Sequence, residues 1–520
     1  MSSEFQPSVY QSAIFDWVSN GTGNAIINAV AGSGKTTTLV EASKLIDSDN
    51  VLFAAFNTHI VGTLRSRLPK KTICRTMHSI GRECLLKHLG LTTIKPISNK
   101  YRAYCRTIAK SIHEQLETIY DNKLKAFDFN SDVDLPDAPP LVEEIRNQLQ
   151  TLTDFCRTTL ADPESLEELE NLAEHFSIDC PVPLPKIKDY VKHILDMGES
   201  DALESNTIDF TDMLWLTFKW NLKPPKFHWV LIDEAQDLNA SQLHLVNKMV
   251  GENTRLLFVG DPKQAIYGFS GADSNAFSNI KVKTNAQEFP LSICYRCPAK
   301  IVGLAKTIVE QIEPRPGCID GEITEIKEDA ILSHVKDGDL ILCRSTAPLV
   351  KLCFKLLSNK KQARIKGKDI GKALIKIVKD VEAEDGFDFT QFLDFLEKIK
   401  IERINKLNQK PDNEQQVEDF IDQVESIAAC FVSYNCKSAP EFRAELDNLF
   451  SDESTVITLS TIHKTKGLEE DRVFILHYEK MPLKWKKQKD WQFTQENNLK
   501  YVAITRTKQH LYLVSEVQEA

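Results

Sequence analysis

A mainly apolar run, Ala25 to Ala29, passes through Val30-Ala31-Gly32-Ser33-Gly34 into Lys35-Thr36-Thr37. No other feature constrains the chain as strongly, because a buried strand turning on glycines into a helix aims backbone N–H groups and the positive helix end at one point. An anion belongs there. The pattern reads as a phosphate cradle made by Ala31, Gly32, Ser33, Gly34, Lys35, Thr36 and Thr37, with Lys35 reaching the β- and γ-phosphates and the Thr36 hydroxyl ligating Mg²⁺. Ala29 stands where the pattern usually opens with glycine. The plain alternative is an ordinary strand, turn and helix with a chance Gly-Lys-Thr.

A second apolar strand, Trp229-Val230-Leu231-Ile232, delivers Asp233-Glu234-Ala235-Gln236-Asp237. Acidic residues at the carboxyl end of a buried strand sit where α/β folds place their ligands. Asp233 would hold Mg²⁺ through water, and Glu234 would orient and deprotonate the attacking water, since phosphoryl transfer asks for positioning and charge neutralisation. An acidic cluster capping a helix is the bland reading of the same residues.

With these two motifs in place the chain resembles the UvrD/Rep-like superfamily 1 helicases, and further motifs follow in that family's order. Gln11 in Pro7-Ser8-Val9-Tyr10-Gln11 matches the adenine-reading glutamine, and Phe56-Asn57-Thr58 and Thr76-Met77-His78-Ser79 resemble two DNA-contacting segments. Val259-Gly260-Asp261-Pro262-Lys263-Gln264-Ala265-Ile266-Tyr267 resembles the coupling segment. Leu291-Ser292-Ile293-Cys294-Tyr295-Arg296 corresponds to the Asn-Tyr-Arg motif, with Cys294 in place of the asparagine. Thr461-Ile462-His463-Lys464-Thr465-Lys466-Gly467-Leu468-Glu469 and Tyr501-Val502-Ala503-Ile504-Thr505-Arg506 complete the series.

The resemblance implies an ATP-dependent translocase and helicase on single-stranded and tailed duplex DNA, moving 3′ to 5′, with ATP and Mg²⁺. It implies that Arg296 and Arg506 approach the γ-phosphate as arginine fingers and that Gln264 relays phosphate occupancy to the DNA groove. Tyr295 stacks on adenine, Gln11 reads its edge and Glu469 contacts the ribose. DNA contacts fall to Asn57, His78, Tyr267, Phe269 and His463, with Phe269 stacking on a base and Ser270 standing where the family often has arginine. The other reading is a DNA-stimulated ATPase serving as motor or sensor subunit of a larger complex, for example beside a nuclease or replication factor. An inactive nucleic-acid-binding module is disfavoured by Lys35, Glu234 and Arg506.

The motifs divide into two clusters of alternating strands and helices, which predicts an α/β fold of two RecA-like parallel-sheet lobes. The first motor lobe takes residues 1–85 and 205–290, and the second takes 291–365 and 452–520. A helical insert, 86–204, interrupts lobe one, with Leu141, Val142, Ile145 and Leu149 on one apolar helix face and Pro136, Pro139 and Pro140 breaking the chain before it. A short helical insert, 366–451, interrupts lobe two; it contains Phe392 to Ile399, and its run Glu414 to Asp419 reads as a solvated helix face. In the resembled family the second insert is usually much larger.

At 520 residues, several domains are expected, and 42% hydrophobic with 27% charged residues fits an ordinary globular chain. No stretch is long enough to span a bilayer, and the twelve scattered cysteines fit reduced thiols in the cytoplasm. Cys294 and Cys297 have a CxxC spacing but no second pair, so they read as core cysteines rather than a metal site. The net charge of −10 argues against a uniformly basic DNA-binding surface and leaves room for a local one. Lys484-Trp485-Lys486-Lys487-Gln488-Lys489-Asp490-Trp491, where cations interleave with aromatics, is the best such patch, with a solvated basic loop as its alternative.

Overall fold

In the computed structural model the described residues are 5–55, 58–126, 138–266, 268, 276–408, 414–434, 436–450, 457–486 and 488–516. Runs of β-branched and aliphatic residues give inner strands buried on both faces, as parallel sheets require, while the edge strands Thr72–Thr76, Gln287–Leu291 and Glu322–Lys327 are partly exposed. β1 (Ala25–Ala29), β2 (Val51–Ala55), β3 (Thr72–Thr76), β4 (Trp229–Ile232), β5 (Arg255–Gly260) and β6 (Gln287–Leu291) form one sheet in the order β3-β2-β4-β5-β1-β6. Every pairing in it is parallel.

β7 (Ile293–Cys294) and β8 (Glu313–Pro314) make a short ladder beyond it. The second large sheet, also all parallel, uses β9 (Glu322–Lys327), β10 (Leu340–Cys343), β11 (Ala363–Lys366), β12 (Ile457–Thr461), β13 (Glu470–Leu476) and β14 (Thr507–Ser515), ordered β11-β12-β10-β13-β14-β9. This is the expected α/β architecture of two parallel sheets. Apolar clusters cover both faces of each sheet, so the carboxyl ends of β1, β4 and β5 are left as the place where polar side chains gather.

Between β3 and β4 run the helices Lys100–Lys125, Val142–Thr159, Leu166–Phe176 and Leu184–Glu204, which share an apolar cluster of their own. Ile145 and Leu149 are buried in it as expected. Leu141 is not: it precedes the helix, and its side chain is 53% exposed. The proline-rich approach ends one residue later than the apolar spacing suggests, because the extended Leu141 caps the helix.

An ionic network fastens this insert to the helix Asp212–Lys219. Lys100 Nζ donates to Asp212 Oδ2 at 2.7 Å and to Gly198 O at 2.6 Å, Tyr101 OH donates to Asp212 Oδ1 at 2.8 Å, and Arg157 Nη1 reaches Asp209 Oδ2 at 2.7 Å and Asp212 Oδ1 at 3.2 Å. Lys100, Arg157 and Asp212 are all buried. Burial pushes the Asp212 carboxyl up, as does Asp209, against Arg157 and Lys100. Asp212→Ala would strand two buried cations, so it is expected to cost about 3–5 kcal/mol in denaturant unfolding. A loss of less than about 1 kcal/mol would mean that the network is incidental.

Between β11 and β12 lie the helices Lys368–Glu382, Phe392–Asn408, Glu414–Ser433 and Ala439–Leu449, which extend the core of the second sheet. In the run Glu414 to Asp419, Glu418 and Asp419 are exposed as expected, whereas residues 414–417 are half-buried. Gln416 Nε2 donates to Ser177 O at 3.1 Å in the other insert. The run faces a cavity of about 1200 Å³ between the two inserts. Among the described residues no helix is long and apolar enough to cross a membrane.

Candidate functional site

The turn after β1 closes on glycines because its backbone needs them. Gly32 has φ +68°, and a Cβ there would lie 2.7 Å from Arg296 Cβ and 2.9 Å from Cys294 Sγ. Gly34, at φ +80°, caps the helix Lys35–Leu45. Ser33 Oγ donates to Val30 O at 2.8 Å, bracing the turn from inside. The Thr37 hydroxyl instead accepts Arg67 Nη2 at 3.1 Å.

At the foot of this turn the Thr36 hydroxyl donates to Asp233 Oδ2 at 2.6 Å, so β1 and β4 present an alcohol and a carboxylate together. Two hard oxygen donors beside a glycine-lined cradle suit Mg²⁺. Burial and the adjacent Glu234 charge push the Asp233 carboxyl up to about 6, against the Thr36 hydrogen bond and Lys35. Glu234 behaves oppositely. Burial would raise it, but Lys466, Lys35, the Gln236 amide and Arg506 together hold it down at about 2. Its backbone is left-handed, φ +54°, which turns the carboxylate off the strand axis, where Gln236 Nε2 donates to Oε2 at 2.7 Å.

Residues from the second sheet complete the site. Lys466 Nζ stands 3.6 Å from Glu234 Oε2 and pairs with Asp237, whose carboxyl burial nevertheless pushes up to about 6. Arg506 is 2% exposed; its Nη2 donates to Gln264 Oε1 at 3.4 Å, and Gln264 Nε2 donates to Asp261 Oδ2 at 2.7 Å. Burial and then the nearby Arg296 bring the Arg506 guanidinium down to about 10. Arg296 pairs with Glu469 and donates from Nη1 to Thr505 O at 3.1 Å. Tyr295, 38% exposed, donates its N–H to Gly32 O at 2.8 Å.

Gln11, which is buried, accepts Ser8 N–H at 2.9 Å and donates to Thr38 Oγ1 at 3.0 Å, so its amide orientation is fixed. Cys294 and Cys297 are buried beneath the turn. The Cys297 thiol and main-chain N–H lower the Cys294 thiol to about 6. Among the described residues no group of three or more His, Cys, Asp and Glu side chains could hold a metal ion.

Hydrogen bonds and ion pairs thus link Thr36 to Asp233, Glu234 to Gln236 and Lys466, Gln264 to Arg506, Arg296 to Glu469 and Tyr295 to Gly32. His78 and His463 stand elsewhere. His78 is at the start of the helix Met77–Leu89, edge-on to the 57% exposed Phe210 at 6.4 Å. His463 lines the cavity between the inserts with Trp485 and Trp491, and burial, then Arg344 and Lys464, lower its imidazole to about 3. Trp491 stacks on His175 at 5.4 Å, and Lys489 donates to Glu174 O, tying the basic patch to the first insert. Asn57, Tyr267 and Phe269 lie outside the described residues.

Four participants carried no role in the sequence reading: Lys466, Asp237, Tyr501 and Phe210. Lys466, Asp237 and Tyr501 lie inside quoted motifs, whereas Phe210 lies outside all of them and carried no sequence signal.

The model of the UvrD/REP helicase N-terminal domain matches residues 12–285, and that of the UvrD-like helicase C-terminal domain matches residues 354–518. A probable DNA helicase II homolog of Mycoplasma genitalium is 25% identical over 320 residues, covering 57% of this chain and 42% of that protein. ATP-dependent DNA helicase Rep of Buchnera aphidicola is 22% identical over 376 residues, 67% of this chain and 51% of that protein. The RecBCD enzyme subunit RecB of another Buchnera aphidicola is 28% identical over 159 residues, 28% of this chain and 12% of that protein. The chain thus spans about half the length of the helicase relatives it matches.

Proposed function

This chain belongs to the UvrD/Rep helicase family, and from that premise we propose that it is an ATP-dependent DNA helicase translocating on single-stranded DNA. The observation that carries the reading is that Arg506 and Lys466, from the second sheet, meet Gln264 and Glu234, from the first, across the phosphate cradle. A nucleotide bound there touches both sheets, so its hydrolysis can move one against the other. We assign residues 1–85 with 205–290 and 291–365 with 452–520 as the motor lobes, and 86–204 and 366–451 as their inserts.

Lys35 and the turn N–H groups would bind the phosphates, Tyr295 and Gln11 the adenine, and Glu469 the ribose. Thr36 and Asp233 would hold Mg²⁺, which supplies charge neutralisation on the phosphates when bound. Glu234, ionised at neutral pH, orients the attacking water and takes up its proton. Arg296 and Arg506 stabilise the charge on the transferring group.

The 3′-to-5′ direction rests on the family resemblance. Strand displacement on duplexes with one single-stranded tail tests it: the 3′-tailed substrate is expected to be unwound and the 5′-tailed one left intact. ATPase activity without displacement on either would favour a motor subunit acting with a partner such as a nuclease. The short second insert and the similarity to RecB give that second reading its support.

The DNA path is assigned to Asn57, His78, Tyr267, Phe269 and His463, and to Phe210, an exposed aromatic beside His78. Phe210→Ala and Phe269→Ala are each expected to cost about 1–3 kcal/mol of single-strand binding, the range for a base on an aromatic ring. Unwinding should fall more than ATPase activity at saturating DNA. A variant that melts early yet binds DNA normally in its folded fraction would mark that phenylalanine as a packing residue.

A further inference from the structure

Three successive residues of the cradle's rising limb are held from outside it. Val30 N–H donates to Leu291 O at 3.1 Å, and Gly32 O accepts Tyr295 N–H at 2.8 Å. Ala31, between them, donates its N–H to the Tyr501 hydroxyl at 2.8 Å. Tyr501 belongs to the helix Asp490–Ile504 of the second sheet's side and is fully buried.

That helix also meets the coupling segment, through Asn498 Nδ2 to Ala265 O at 3.0 Å and Gln495 Nε2 to Ile266 O at 2.7 Å. Residues 495, 498 and 501 recur every three positions, so one helix face docks on both the coupling segment and the cradle. The next turn carries Arg506 and accepts a bond from Arg296. Tyr501 O accepts the Thr505 hydroxyl at 2.8 Å, Thr505 O accepts Arg296 Nη1 at 3.1 Å, and Arg506 Nε donates to Val502 O at 3.0 Å.

We propose that Tyr501 is a positioning residue for ATP hydrolysis: its hydroxyl, held by Ala31 N–H, fixes the distance between the phosphate cradle and the turn bearing Arg506. The inference rests on the ATPase reading given above. A phenol has only two rotatable bonds and is packed on all sides, so it acts as a spacer of fixed length. Arg506 contributes only when its guanidinium meets the developing charge, and a misplacement of about 1 Å can cost on the order of 10²-fold. Ala31 N–H, the Tyr501 ring and one helical turn together form a continuous bonded path between the two.

The test uses the full chain, Mg²⁺ and ATP, with an oligothymidylate as the DNA. Tyr501→Phe removes one oxygen; kcat is expected to fall about tenfold while the Kd of a fluorescent ATP analogue stays within about twofold. Because Tyr501 acts through Arg506, the same change made in an Arg506→Lys background is expected to lower single-turnover hydrolysis by less than about twofold. Thr505→Val, which keeps the volume of Thr505 and deletes its bond to Tyr501 O, should show the same split and serves if Tyr501→Phe folds poorly.

Equal losses in both backgrounds, or weaker nucleotide binding at unchanged kcat, would overturn the positioning role. Absence of hydrolysis by the unaltered chain would instead overturn the ATPase reading itself.

Discussion

Lys35→Ala is expected to abolish ATP turnover, and Glu234→Gln to bind ATP while hydrolysing it on the order of 10³-fold more slowly. The two losses differ in kind. Lys35 is the cation at the cradle, and its charge also opposes those of Asp233, Glu234, Asp237 and Asp261, as the lowering influence of Lys35 on each of these carboxyls records. Removing it should weaken phosphate binding and leave three buried acids and the half-buried Glu234 with less compensation. Glu234→Gln keeps the shape and the hydrogen bond from Gln236, but the amide cannot take a proton from water. Nucleotide affinity measured with a fluorescent ATP analogue should therefore be near normal in Glu234→Gln and poor in Lys35→Ala. Near-normal turnover by Glu234→Gln would remove Glu234 from the role of base and point to Asp237, the neighbouring carboxylate that Lys466 also engages.

The cradle and the acidic strand were legible in the sequence because each is local. β1, two glycines at positive φ and Lys35-Thr36 occupy consecutive positions, and the strand Trp229–Ile232 hands its carboxylates directly to the same edge. What sequence could not place were contacts between residues far apart in the chain whose chemistry is ordinary. Tyr501 and Ala31 are 470 positions apart, and nothing in a tyrosine near a Thr-Arg pair says that its hydroxyl will cap a turn of the other lobe. Lys466 reads as one lysine among several until it is found at Glu234. The charged run Glu414 to Asp419 suggests water because composition reports charge and not what lies opposite. In the fold the opposite wall is the other insert, whose Ser177 carbonyl accepts the Gln416 amide. Leu141 fits a helical spacing yet lies outside the helix, since periodicity alone does not mark where a cap begins.

Arg506→Ala is expected to lower kcat on the order of 10³-fold or more, and Arg296→Ala to lower it strongly but less, with ATP affinity little changed in either. The difference follows from their surroundings. Arg506 is buried, aimed at Gln264, and depressed to about 10, so the protein keeps a costly cation at a place where transferred phosphate charge would repay its desolvation. Arg296 is already neutralised by Glu469 and must exchange that partner for phosphate, which subtracts from what it can give. Arg506→Ala also strips a partner from Val502 O and Leu468 O, so a melting comparison has to accompany the kinetics. Arg506→Lys separates charge from geometry: it keeps the cation but loses the planar fork, and should recover only part of the rate. If Arg506→Ala raised the KM for ATP at unchanged kcat, the arginine would be binding the ground state, and the closure of the two sheets on the nucleotide would need another source of transition-state charge.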